Sequence, residues 1–380
     1  MKLFECQACG QPLYFENTRC ESCARTLGYL PQEAALSALE PSGGAWRALA
    51  APERLFRFCA NAEHDACNWL IDEAQPQRYC VACSHNRTVP DLSNPTNLAR
   101  WWRIEMAKRR LFYTLMRLGL PLRTRAVDPQ GLAFDFLADP DEGPSPRILT
   151  GHQDGLITLN IAEADDAERE RRRHSMGEPY RTLLGHFRHE VGHYYWTVLV
   201  EEAGHLEAFR TVFGDEREDY GEALKRHYAN GPRAGWQNEY VSAYAGSHPW
   251  EDWAETWAHY LHIVDTLETA SAFSMRVRPR IGLGEELSAE IDFDPHHNVS
   301  LNRLVAAWLP LTFAVNSLNR SMGQPDLYPF VLSPAVISKL AFIHERIHDG
   351  AGDASRGSGH GVLHAVIDRL RRPVGPMQNT

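Results

Sequence analysis

Apolar residues recur every three to four positions over most of the chain beyond residue 97, and this period predicts helices. One helix is predicted from about Leu98 to Leu118, where "GLP" ends it; its "WW" and "LFYTLM" read as core anchors and its "MAKRR" as a solvated face. A different period comes next. "GLAFDFLA" and "RILTGHQDGLITLNIAEA" alternate or run β-branched, with "QDG" as a turn, which predicts about three strands in a small antiparallel sheet. "DDAERERRRH" then reads as a charged surface helix. Helical spacing returns from Pro179 to about Glu202, from Pro249 to about Ala272, and over 299–318 and 334–348. The tail from Gly350, "GAGDASRGSGHG", reads as flexible before a short helical piece. A few strands followed by a run of helices is an α+β pattern.

Residues 1–90 carry a different signal. All eight cysteines lie before residue 84. "CQAC" and "CESC" supply Cys6, Cys9, Cys20 and Cys23 as two tight knuckles, the spacing that aims four thiolates at one tetrahedral zinc ion. Cys59, Cys67, Cys80 and Cys83 form a second group in which only "CVAC" is a clean knuckle; His64, inside the wide Cys59–Cys67 loop, could replace one thiolate. Two structural zinc ions are expected here. With "PSGGAW" in its middle this segment is expected to have little core of its own, so metal would supply much of its folding energy. "HNRTVPDLSNPTN" reads as a linker. The expected division is a zinc-ribbon module over 1–90, a mainly helical domain over 91–349 and a tail over 350–380.

Charge narrows the partners. The 380 residues carry a formal net charge of -10, with 43% hydrophobic and 23% charged residues, an ordinary globular composition. Residues 1–90 hold 8 Lys and Arg against 10 Asp and Glu, and thiolate-bound zinc adds negative charge. A surface that repels phosphate is a poor reader of nucleic acid, so nucleic acid is not expected as a partner. "MKLFECQACG" is no secretory signal, and no apolar stretch is long enough to span a bilayer. The cytoplasm, where thiols stay reduced, is the expected location.

The candidate chemistry is in "HFRHEVGHYYW". His189 and His193 are one turn apart on a predicted helix and share a face, so both imidazoles can reach one zinc ion. Glu190 is about 100° round, placed to take a proton from a water on that metal. Leu183, Leu184, Phe187, Val191, Tyr195 and Val198 form an apolar stripe on another side, as a helix packed on a core would have. His186 shares the histidine stripe and reads as a supporting or exposed residue. A third protein ligand is needed, with one coordination position left open. "SAYAGSHPWEDWAETWAHYLH" offers it: Glu251 and Glu255 share a face, His259 and His262 lie near it, and Pro249 starts the helix. Spacing alone leaves either acid as the ligand.

His189-Glu190-x-x-His193 followed by a helix with Glu-x-x-x-acid resembles the gluzincin metallopeptidases. The resemblance implies Glu251 as the third ligand and Glu255 as the acid that supports a zinc-binding histidine from behind. Tyr244, about two turns before Glu251, resembles the tyrosine that helps stabilise the oxyanion in toxin-like gluzincins; Tyr240 and His248 are rivals for that place. From "CQACGQPLYFENTRC" through "LLGHFRHEVGHYYW" and "PWEDWAETWAHYLH" to "NRSMGQPDLYPFVLSP", the chain resembles a bacterial family of zinc-binding metallopeptidases with an N-terminal zinc ribbon. The likeness to gluzincins implies one catalytic zinc ion, with Glu190 and Tyr244 as catalytic residues, and a peptidase of this kind would act on a peptide or protein. Two other readings compete: a zinc-stapled scaffold that binds a protein partner, and a protease acting on DNA-bound proteins. Glu190 separates the first, because a structural site needs no base; acidity counts against the second.

Overall fold

In the computed structural model, which describes residues 2–139, 148, 150–176, 181–280, 287–297 and 299–349, short strands build the cysteine-rich segment. The described residues divide into two compact units, one up to Val198 and one from Leu199.

In the first unit, β1 (Phe4–Glu5) and β2 (Pro12–Leu13) form a hairpin beside the first cysteine group. β3 (Leu27–Leu30), β4 (Ala35–Ser42), β5 (Ala45–Ala48), β6 (Leu55–Phe58) and β7 (Leu70–Asp72) make a five-stranded antiparallel sheet in chain order. "PSGGAW" is the β4–β5 turn: Ser42 pairs with Ala45, and Gly43 and Gly44 adopt φ of 61° and 91°. Those angles suit a two-residue hairpin turn of the primed type. The sheet buries Leu30, Leu39, Ala48, Phe56 and Leu70, so this segment has the apolar core that its composition did not announce.

β8 (Asn86–Thr88) leads to α1 (Pro95–Arg117), which Asn94 caps by accepting from the backbone N–H groups of Thr96 and Asn97. Then come β9 (Ala133–Leu137), β10 (Gly151–Gln153), β11 (Leu156–Asn160), the charged helix α2 (Asp166–Met176) and the motif helix α3 (Leu183–Trp196). The second sheet runs β10-β11-β9-β8. β10 and β11 are the expected antiparallel hairpin, and β9 and β8 add to it in parallel. Phe112 of α1, Phe134 and Phe136 of β9 and Phe187 of α3 pack ring against ring and fix the sheet between the helices. Thr182 caps α3 by accepting from the Gly185 N–H at 3.0 Å, and beyond Trp196 the helix widens into a π turn, Thr197–Glu201. Pro179 and Tyr180, the expected start of this helix, lie outside the described residues, as does the expected tail over 350–380.

The expectation for "MAKRR" is overturned. Lys108 is fully buried and Arg109 nearly so. Lys108 Nζ donates to Glu105 Oε1 at 2.8 Å, and Asn86 Nδ2 donates to the same oxygen at 2.7 Å. Glu105 Oε2 lies 3.7 Å from the Cys83 sulfur. Buried charge needs a partner, and this lysine and glutamate neutralise each other against the second cysteine group.

The second unit is mainly helical: α4 (Leu206–Phe213), α5 (Tyr220–Asn230), α6 (Pro249–Ala272), the short strands β12 (Arg276–Val277) and β13 (Ala289–Glu290), α7 (Leu301–Ser321) and α8 (Pro334–His348). α6 has the predicted bounds because Pro249 fixes its first residue and His248 caps it, Nδ1 accepting from the Trp250 N–H at 3.1 Å. Trp253 and Trp257 stack on one side of α6, and Trp253 also meets Phe209, Phe213 and Phe342 of α4 and α8. Among the described residues no helix is long and apolar enough to cross a membrane.

The β10–β11 turn generates a prediction. Asp154 and Gly155 both have positive φ, and a Cβ on Gly155 would lie 2.0 Å from the Gln130 carbonyl oxygen. Gly155→Ala is expected to destabilise the first unit by at least about 2 kcal/mol through strain and backbone collision. A urea midpoint equal to that of the unsubstituted protein would contradict this packing.

Candidate active site and metal centres

The two cysteine groups fit tetrahedral metal. Sγ–Sγ distances are 3.7 Å for Cys6–Cys23, 3.6 Å for Cys9–Cys20 and 3.7 Å for Cys67–Cys80. A disulfide would bring the sulfurs to about 2.05 Å, whereas zinc with bonds of about 2.3 Å holds them about 3.8 Å apart. All eight cysteines are free, and each group of four lies within mutual reach. Backbone N–H groups point at the sulfurs as well: Cys80 N donates to Cys59 Sγ at 3.3 Å and Trp69 N to Cys67 Sγ at 3.5 Å. His64 stays out of the second group and sets its ring edge-on to Trp101, so four cysteines complete the set.

α3 brings four titratable residues together. The His189 and His193 rings are 5.0 Å apart and nearly perpendicular, the consequence of a one-turn separation. Glu190 and His193 are buried. His186 joins this group more closely than expected from sequence: Nδ1 donates to Glu163 Oε2 at 2.6 Å and Nε2 lies 3.4 Å from Glu190 Oε1. Glu163, almost wholly buried after β11, also accepts from Thr150 Oγ1 at 2.7 Å and faces Arg181 at 3.6 Å. Burial pushes His186 down, but Glu163 and then Glu190 reverse it, to about 9. Burial pushes Glu163 up, and His186 overrides it, to about 2. Glu190 obeys the same logic: burial raises it, the hydrogen bond from His186 and the charges of His189 and His193 prevail, and it lies below the ordinary carboxylate range. Glu190 is therefore a carboxylate at neutral pH, as a proton acceptor must be.

His152 on β10 was not singled out from sequence. Its ring lies parallel to that of His193 at 6.0 Å, and Nε2 accepts from the Gly155 N–H at 3.0 Å. Burial, then the neighbouring His193, push it down to about 4, so it is neutral. Only its place beside the "QDG" turn marked it in the sequence.

In the second unit, Glu251 is buried in the first turn of α6. Tyr220 on α5, which had no signal in the sequence, donates its hydroxyl to Glu251 Oε1 at 2.6 Å. Glu255, one turn on, accepts from Ser242 Oγ at 2.6 Å. Tyr244 opens a short 3-10 turn before α6 and meets His227 edge-on at 5.9 Å. Of its rivals, His248 uses both ring nitrogens, one as the α6 cap and the other donating to the Glu218 carbonyl at 3.1 Å. Tyr240 lies beneath Lys339, whose Nζ is 4.2 Å from its ring centre. Lys339 also pairs with Asp252 at 2.6 Å, and burial lifts Asp252 to about 7 despite that lysine. His259 is buried, with Nδ1 2.7 Å from the Tyr328 hydroxyl, and burial pushes it down to about 4.

A family model described as "Putative zinc-binding metallo-peptidase" matches residues 97–346, and one described as a zinc-ribbon domain matches residues 3–94. Uncharacterized proteins of Mycobacterium tuberculosis and Mycobacterium bovis are each 43% identical to the chain over 355 residues, covering 93% of this chain and 97% of the relative. No solved structure matches at a significant level.

The Glu163–His186 pair sets a pH window. His186 is raised, so its share of stability is complete below about pH 6.5 and lost as pH rises through about 9. Glu163 is depressed, so its share is complete above about pH 4.5 and lost as pH falls through about 2. Glu163→Gln is expected to narrow that window and to lower the His186 titration, followed by side-chain nitrogen NMR. An unmoved His186 titration would show that Glu163 does not hold its proton.

Proposed function

The chain belongs to this family of zinc-binding metallo-peptidases with an N-terminal zinc ribbon, and on that premise we propose that it hydrolyses peptide bonds at a zinc ion held by His189, His193 and Glu251. The observation that carries the reading is Glu190: a buried carboxylate, kept ionised by His186, between two histidines one helical turn apart. Zinc held there would supply Lewis acidity and lower the pKa of a coordinated water to about 7. Glu190 takes the proton of the attacking water and passes it to the leaving amine. His186, tied to Glu163, keeps the Glu190 carboxylate oriented and charged.

Glu251 is supported as third ligand by its burial and by the Tyr220 hydroxyl on Oε1, since ligating carboxylates are usually oriented by such a donor. Glu255 is assigned the supporting role behind the ligands, and Tyr244 the stabilisation of the oxyanion, both by likeness to gluzincins. Two further zinc ions belong to the two cysteine groups and are structural. The substrate is a peptide or protein.

Two substitutions test this. Glu190→Gln keeps size and shape but cannot accept a proton; it should retain zinc and fold normally while peptide hydrolysis over a broad library falls by about 10²–10⁴. Hydrolysis at the unsubstituted rate would remove Glu190 from the mechanism. Glu251→Ala should release one zinc ion per chain, whereas Glu255→Ala should weaken binding only about 10–100-fold. The reverse order would exchange the two acids.

A further inference from the structure

The far end of α6 carries two more acids, several turns beyond Glu251 and Glu255. Asp265 and Glu268 are three residues apart, so they share a face, and both are buried. His296, in the segment that leads into α7, is 1% exposed and sits against them. One ligand atom from each of the three lies within 4.8 Å of the others. We propose that Asp265, Glu268 and His296 form a further metal site, for a divalent ion of the zinc or manganese class.

The distances favour an ion over a plain ion pair. His296 Nε2 is 3.4 Å from Asp265 Oδ1, and Nδ1 is 3.7 Å from Glu268 Oε1 and 3.5 Å from Asp294 Oδ1. A buried imidazolium would draw carboxylates to about 2.7–2.9 Å. Neither ring nitrogen of His296 makes a hydrogen bond, although both are buried. An unsatisfied imidazole costs about 1–3 kcal/mol unless something else occupies it. Neighbouring ligands bound to one ion at about 2.0–2.2 Å in a tetrahedral shell are about 3.3–3.6 Å apart; Nε2 has Asp265 at that spacing, with a Glu268 oxygen within reach of the same ion, and Nδ1 faces Asp294. One ring nitrogen takes the ion. The other keeps a carboxylate to donate to, as metal-binding histidines commonly do.

Position and donor set agree. Asp265 and Glu268 lie in the last two turns of α6, where the helix dipole already disfavours negative charge and a cation is stabilising. One imidazole with two carboxylates, and no thiolate, suits zinc or manganese and not a soft monovalent ion. The ion would tie residues 294–296 to α6 and so fix the entry of α7. This site is independent of the proposed hydrolysis and includes none of its residues.

The test uses the full chain. After dialysis against metal-free buffer, metal per chain is counted for the unsubstituted protein and for Asp265→Asn/Glu268→Gln, each loaded with Zn²⁺ or Mn²⁺. The substituted protein should hold one equivalent fewer. Crystals of the unsubstituted protein loaded with the same ions, with anomalous maps collected on both sides of each metal's absorption edge, should show a peak bonded to His296. An equal metal count in the two proteins, or no peak at His296 with either ion while the cysteine groups carry theirs, overturns the proposal. Should the substituted protein fail to fold, the maps alone decide.

Discussion

A carboxylate taken out of water must meet a cation or a hydrogen-bond donor, and each unit of this chain is organised by that demand. Glu105 meets Lys108 and Asn86. Glu163 meets His186 and Thr150, and through His186 its influence reaches Glu190. Glu251 meets Tyr220, and Asp252 meets Lys339. In each case the partner comes from a neighbouring element or a facing residue of the same helix, so ionic requirement and packing select the same arrangement. The aromatic residues supply the apolar backing: Phe187 anchors α3 on β9, and Trp253 anchors α6 on α4 and α8.

Caps and periods are local, and local sequence announces them. α6 could be read to its terminal residues from Pro249 and its apolar spacing, and the β10–β11 hairpin from "QDG". The histidines of α3 were legible because a one-turn spacing is itself the chemical signal. Charge partners are not local. Lys108 looked like part of a solvated basic run because nothing in "MAKRR" announces Glu105 as a buried partner against Cys83. Lys339 and Asp252 are 87 residues apart, and Tyr220 is 31 residues before Glu251. The five-stranded sheet escaped for another reason: four of its five strands have only three or four residues, and β3 is buried on both faces and so shows no alternation.

The cysteine-rich segment is bound into the rest of the first unit. β8, immediately after the last cysteine knuckle, is an edge strand of the sheet that carries β9. Phe15 and Tyr29 pack on Tyr113 of α1, and Arg110 of the same helix pairs with Glu16 at 2.5 Å. Loss of metal from these cysteines would therefore be felt along α1 and in the sheet against which α3 packs.

The two cysteine groups differ in how far water reaches them. All four cysteines of the second group are buried, while in the first group Cys9 is exposed and Cys23 half-buried. A chelator or an oxidant must attack a sulfur or the ion directly, so access sets the rate. On access alone, a chelator or an oxidant would reach the first group sooner than the second, whose four sulfurs are open to attack only when the unit opens.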